Sequence, residues 1–396
     1  MDKKLLYSTA LLFSLLVNSI NGPQAAAAYY GKVSTDQEQL EQVRTIFKSL
    51  EERRLSLLEE GTVPVNDDEK ELYFSEIEFI TKEGTAAAEK DYKSKVEITY
   101  NENLNKSAVS ILRWDDQKRN WENSLRELSI YSQNGMLKEL VYERWQTEKT
   151  QWNSIARETF AYDKSDNLTQ SDWQQIVSNG QTVNLAREVF HYNSDGYLGE
   201  QVRQQWNNND KTWANIEKTI FAYDQDGYEI EKKLQTAAGK KDWQNSRRMQ
   251  YEYSEDMETK QTQVVTVFQK WQNNFWITES RELAINDDIA METNNIAQNW
   301  NNDAAAWENN FRTVKKYTKS GILNELENYY WNEESQAWEN ATRILNIYDE
   351  ANRLTEIIDQ QWTSNNSGTE NGSQGWVSSA NARIGYAEQT AGRMDP

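Results

Sequence analysis

The chain has 396 residues, no cysteine, one histidine (His191), and 43 Lys plus Arg against 63 Asp plus Glu, for a net charge of −20 and a pI near 4.7. That balance argues against nucleic acid and anionic membranes as partners. The residue counts exclude disulfides, cysteine zinc sites, thiol nucleophiles and any catalytic triad needing a histidine other than His191.

In chain order, MDKKLLYSTALLFSLLVNSINGPQAAAA places Lys3 and Lys4 ahead of an apolar stretch that ends in Gly, Pro and a run of alanines. This predicts a signal peptide over residues 1–28 and no membrane span after its cleavage. Removing its one Asp and two Lys takes away a net +1 and leaves −21. Residues 29–61 hold the next element. Thr35 three before Glu38 forms a capping box, Leu40, Val43, Phe47, Leu50 and Leu58 recur at helical spacing, and Gly61 is a stop, so one amphipathic helix is expected. Residues 62–70 read as a linker, and 71–100 as a degenerate capping hairpin formed by ELYFSEIEFI and SKVEITY.

Residues 101–396 are a repeat. Landmark tyrosines at 100, 131, 162, 192, 223, 253, 317, 348 and 386 recur at a period of about 31 residues, with one extended interval. Ten before most of them stands an inner tryptophan: Trp121, Trp152, Trp213, Trp243, Trp307, Trp338 and Trp376, joined by Trp276, whose tyrosine position is Asn286. Thr182 is the one gap. Seven before the inner position comes an outer tryptophan at Trp114, Trp145, Trp206, Trp300 and Trp331. Five after it comes a base: Arg126, Arg157, Arg187, Lys218, Arg248, Arg281, Arg312 or Arg343. A period of this size marks one supersecondary unit used many times.

Segments between landmarks are rich in Val, Ile, Thr, Phe and Tyr and end in turn residues, so each unit reads as a β-hairpin. LKELVYERW pairs with WNSIARETFAY. With Trp145 opposite Trp152, regular alternation puts Val141 opposite Ala156. The other connection, as in YSQNGML, YNSDGYL and YDQDGYE, has Asp, Asn or Ser to open a turn and Gly in the left-handed position. The expected fold is an all-β repeat: an elongated, twisted or coiled antiparallel meander of about nine hairpins with one N-terminal helix. Polar residues on both strand faces favour an open or coiled sheet over a thick sandwich.

The Tyr-Asp-x-x-Gly-x-Leu turns resemble the YD-repeat hairpins of Rhs-type bacterial surface and toxin-shell proteins. The unit is also similar to Trp- and Tyr-rich hairpin repeats secreted by Gram-negative bacteria. The resemblance implies an extracellular or cell-surface location, with an adhesive or scaffolding role, and transfers no catalytic residue. Secretion or surface display is thus expected, with the periplasm also compatible with export.

The candidate binding residues are Trp114, Trp121, Trp145, Trp152, Trp206, Trp213, Trp300, Trp307, Trp331 and Trp338. Flat indoles near hairpin tips can stack on sugars, with Asn123, Asn215, Asn245, Asn309 and Asn340 as polar neighbours. The competing reading, favoured by strict recurrence, is that they are cross-strand clasps. Glu139, Glu200, Glu231, Glu325 and Glu356 are expected to form ion-pair ladders with the repeated bases. No cofactor is expected; Asp163, Asp166, Asp224, Asp226, Asp287 and Asp288 read as turn residues, and calcium there is the lesser reading. The expected function is an exported, non-enzymatic scaffold or adhesin, with a secreted glycan-binding module as the alternative. The expected partners are an extracellular glycan or surface protein, and self-association is compatible with the array.

Overall fold

The computed structural model describes residues 40, 42–48, 72–83, 90–103, 105–239, 242–350, 352–363 and 375–388. The signal peptide and the linker at 62–70 lie outside the described residues. The strands are β1 (Leu72–Glu83), β2 (Lys90–Tyr100), β3 (Lys106–Asp115), β4 (Asn120–Tyr131), β5 (Leu137–Gln146), β6 (Gln151–Tyr162) and β7 (Leu168–Ile176). They continue as β8 (Thr182–Tyr192), β9 (Leu198–Asn207), β10 (Thr212–Tyr223), β11 (Glu229–Ala237), β12 (Trp243–Asp256), β13 (Gln261–Gln272) and β14 (Phe275–Asp287). The last six are β15 (Glu292–Asn301), β16 (Ala306–Tyr317), β17 (Leu323–Asn332), β18 (Ala337–Tyr348), β19 (Leu354–Thr363) and β20 (Gly375–Glu388). Each pairs antiparallel with the next, so β3 to β20 make nine hairpins, and β1 and β2 add a first one ahead of them.

The expectation of an open or coiled elongated sheet is corrected by one pairing. β1 runs antiparallel to β20, with Ile77 opposite Ile384 and Phe79 opposite Ala382, so the meander closes into a 20-stranded barrel. An open sheet of this length presents two rows of unpaired backbone donors and acceptors; closure removes both. The first hairpin is therefore part of the wall, between β20 and β3.

A second correction concerns register. Trp145 does face Trp152, but Ala156 lies opposite Tyr142 and Arg157 opposite Val141, because Ile155 is an extra residue. The same bulge stands three residues after the inner tryptophan position in all nine hairpins from β3–β4 to β19–β20, at residues 124, 155, 185, 216, 246, 279, 310, 341 and 379. In an unbroken strand, residues five apart point to opposite faces. The bulge restores a shared face, so tryptophan and base emerge on the same side of the sheet.

The helix, described at residue 40 and residues 42–48, tells the two faces apart. Its Leu40, Val43 and Phe47 join a buried cluster with Val96, Ile111, Leu125, Tyr142, Ala156, Trp173, Ile344, Leu354, Ile357 and Ala382. Side chains from strands so far around the wall can converge on one helix only across the concave side, so this face is the lumen. The arc from β17 through β1 to β8 packs on the helix. No residue of β9, β11 or β12 is buried, and these strands are half-buried or exposed on both faces. The two-sided polarity in the sequence thus comes from a single-layer barrel wall.

One buried ion pair fixes the helix in place. Arg44 and Glu158 are 7% and 2% exposed; the guanidinium donates to the carboxylate through Nη2 at 2.6 Å and Nε at 3.2 Å. Ser171 donates to the same carboxylate at 2.9 Å, and Arg44 lies 5.2 Å over the Trp173 ring. Burial pulls the Glu158 pKa up, but the Arg44 hydrogen bonds and charge, with help from Lys48 and Ser171, outweigh it and leave the group below its ordinary value. A depressed folded-state pKa gives stability that is present above the ordinary glutamate range and lost as pH falls through the folded value. Arg44→Met leaves the Glu158 carboxylate buried without its cation, and is expected to destabilise helix docking by about 3 kcal/mol at neutral pH. Adding Glu158→Leu to that variant should recover most of the loss. Hydrogen exchange of the helix amides read from neutral pH to below the glutamate range checks this: the native helix should open as pH falls, Arg44→Met should be loosest at neutral pH and tighten as Glu158 protonates, and the double variant should show neither dependence.

Candidate binding surface

The ten tryptophans singled out from the sequence are brought together as five cross-strand pairs on the outer face, at the rim where odd strands turn into even ones. Ring centroids are 5.4 Å apart for Trp114 and Trp121, 5.2 Å for Trp145 and Trp152, and 5.1 Å for Trp206 and Trp213. Trp300 and Trp307 are at 5.0 Å and Trp331 and Trp338 at 5.1 Å. All five are edge-to-face, the favoured arrangement for paired indoles, and all ten side chains are half-buried. Two more pairs join them: Trp271 with Trp276 at 5.0 Å and Trp362 with Trp376 at 5.2 Å. A seven-residue spacing search misses these. The β13–β14 loop is only Asn273–Asn274, both at positive φ, and the β19–β20 connection is long.

Each base reaches forward over the next hairpin. Arg126 lies 4.4 Å from the Trp152 ring centre, Arg187 4.2 Å from Trp213, Lys218 5.0 Å from Trp243, Arg248 4.7 Å from Trp276, Arg281 4.5 Å from Trp307 and Arg343 4.7 Å from Trp376. The same bases also tie to neighbouring strands through polar groups. Arg281 Nε donates to Gln298 Oε1 at 2.7 Å, and Gln298 Nε2 donates to Asn309 Oδ1 at 2.8 Å. Arg157, Gln174 and Asn184 repeat the relay. The expected carboxylate ladder is present on the other side, with Arg157 to Glu139 at 3.5 Å, Lys218 to Glu200 at 3.5 Å, Arg248 to Glu231 at 3.4 Å and Arg343 to Glu325 at 3.4 Å. Glu356 instead accepts from Asn381.

This geometry weighs on the sugar-platform reading. One face of most inner indoles is covered by a base, and an edge meets its partner. Asn215, Asn245 and Asn309 each accept from a cross-strand glutamine through Oδ1. What remains open is the outward edge of each pair, repeated around the rim.

The opposite rim is held from inside. Landmark tyrosines point into the barrel, and their hydroxyls donate to a carbonyl at the start of the preceding strand: Tyr131 to Lys106 at 2.8 Å, Tyr162 to Leu137 at 2.9 Å, Tyr223 to Leu198 at 3.0 Å. Burial raises the pKa values of Tyr162, Tyr192 and Tyr223. The turn aspartates serve the backbone. Asp163 Oδ1 accepts from the Ser165 and Asn167 amides, Asp224 from those of Asp226 and Tyr228, and Asp287 from those of Ile289 and Ala290. Among the described residues no group of three or more His, Cys, Asp or Glu side chains is arranged to hold a metal ion. His191 is a strand residue opposite Glu200.

No family model and no curated protein matches the chain. Among solved structures it is similar to a protein of unknown function from Bacteroides fragilis NCTC 9343, at 17% identity and a TM-score of 0.28, over 34% of this chain and 94% of that one. It is also similar to a porin-like protein from Bacteroides uniformis ATCC 8492, at 10% identity and a TM-score of 0.32, over 79% of this chain and 96% of that one. A third likeness is to transferrin binding protein B from Haemophilus parasuis Hp5, at 7% identity and a TM-score of 0.17, over 80% and 76%. At these scores the likenesses carry no functional assignment.

Arg281→Lys keeps the charge but removes the planar fork that stacks on Trp307 while donating to Gln298. The expected loss is about 1 kcal/mol in denaturant unfolding, with Arg281→Met losing more.

Proposed function

We propose that this chain is an exported, non-catalytic β-repeat scaffold or adhesin that works outside the cell or at its surface. The observation that supports it most is the belt of seven indole pairs at one rim of the barrel. Six of the seven have a cation over an indole, and each pair offers the same outward edge. Such a surface suits contacts made many times at once, where individually weak interactions add through effective concentration. The mid-strand outer face carries Arg126, Arg157, Arg281, Glu139, Glu231 and Gln298, which suits water and disfavours lipid. Among the described residues no helix is long and apolar enough to cross a membrane. The signal-like N-terminus supports export.

A secreted glycan-binding module is the second reading, and the half-exposed indole edges beside Asn-rich tips favour it. In that case the partner is an extracellular glycan; in the first, a surface protein. The two separate by tryptophan emission. The scaffold reading expects no change when the purified exported protein is screened against an array of oligosaccharides, and expects antibody to label intact cells or the medium. Quenching by one sugar class that disappears in Trp145→Ala would move the assignment to glycan binding. Polysaccharide hydrolysis abolished by a single Glu→Gln change would remove the non-catalytic reading.

A further inference from the structure

The rim opposite the tryptophans breaks its own pattern over one arc. Most of its turns end in Gly or Asn at the left-handed position and present polar residues, as in Ser132–Gly135 and Asn193–Gly196. The β12–β13 and β14–β15 turns instead read Asp-Met-Glu-Thr-Lys and Asp-Asp-Ile-Ala-Met. Met257 is 66% exposed and Ile289 72% exposed. Neither side chain is needed to hold its turn. Asp256 Oδ1 accepts from the Glu258 and Thr259 amides, and Asp287 Oδ1 from the Ile289 and Ala290 amides.

These two turns are neighbours. Gln261 Nε2 donates to Asp287 Oδ2 at 2.9 Å, and the Asp288 amide donates to the Lys260 carbonyl at 3.4 Å. On the lumen side of the same rim Tyr228 and Tyr253 pack at 5.2 Å, and the Tyr253 hydroxyl donates to the Glu229 carbonyl. Met257 and Ile289 thus form a small apolar patch on two adjoining turns. It is ringed by charge of one sign: residues 224–229, 255–260 and 287–292 contain nine carboxylates and one base, Lys260.

We propose that this patch is a docking surface for a basic polypeptide segment carrying apolar side chains. Apolar exposure that does nothing for the turn needs an occupant to remove it from water. The surrounding carboxylates select a cationic one and repel a second copy of this chain, which would bring the same nine acids face to face in a protein of charge −20. The inference stands whichever reading of the tryptophan belt holds.

The test uses the purified exported protein and a fluorescein-labelled synthetic peptide of lysine, leucine and phenylalanine, followed by anisotropy. Binding is expected, weakening steeply with salt. Met257→Ser together with Ile289→Ser should weaken it about tenfold or more, with thermal unfolding unchanged because the aspartate caps remain. Glu258→Gln with Asp288→Asn should weaken binding and flatten its salt dependence. The proposal is overturned if the peptide does not bind, if the serine variant binds like the native protein, or if an all-lysine peptide binds equally well. It is overturned too if sedimentation finds a native dimer that the serine variant loses, or if neutral phosphatidylcholine vesicles bind the native protein and not the variant.

Discussion

The base of one hairpin lying over the inner indole of the next, as Arg126 does over Trp152 and Arg281 over Trp307, is the contact on which the wall depends. Backbone hydrogen bonds join each strand to the next without regard to which residue is where; the base and indole add a side-chain register. A cation over an indole contributes about 0.5 to 2 kcal/mol depending on desolvation. The same guanidinium also donates to a glutamine or carboxylate across the sheet. Repetition around the barrel makes the sum substantial, although no single rung is strong. The contact needs the bulge three residues after each inner tryptophan, because five residues of regular strand would send the base to the lumen.

The two faces then divide the work. The outer face carries the indole pairs and ion ladders, and the inner face carries the landmark tyrosines and, along part of the wall, the helix. Arg44 and Glu158 couple that helix to β6 in an environment where the charges are stable only together. The remaining arc, β9 to β16, contributes no residue to the buried cluster around the helix. It is in this arc that the turns around Met257 and Ile289 depart from the repeat.

Much of this was legible in the residues. Hairpin boundaries, the Trp145 and Trp152 opposition, the Glu139 and Arg157 rung and the left-handed turn positions all follow from local spacing and turn chemistry. The bulge is written there as well, in the odd five-residue offset between Trp152 and Arg157, but regular alternation ignores it and puts Ala156 one residue out of register. Trp271 and Trp362 fall outside the seven-residue spacing because their loops differ in length from the common one. Closure was the least accessible feature. Ile77 and Ile384 are separated by almost the whole chain, their strands look like any others, and a single-layer barrel wall has the same alternating polarity as an open sheet. The helix periodicity located Leu40, Val43 and Phe47 without showing which surface they cover.

Closure is the central structural claim, and a cross-link tests it most directly. The chain has no cysteine, and Ile77 and Ile384 are opposed Cα partners on β1 and β20. Cysteines at these two positions should form one intramolecular disulfide under mild oxidation, in high yield and independent of protein concentration. A control pair at Ile77 and Thr219, on β1 and β10, should stay reduced. Failure of the first pair to cross-link, or cross-linking only between molecules, would contradict a closed barrel.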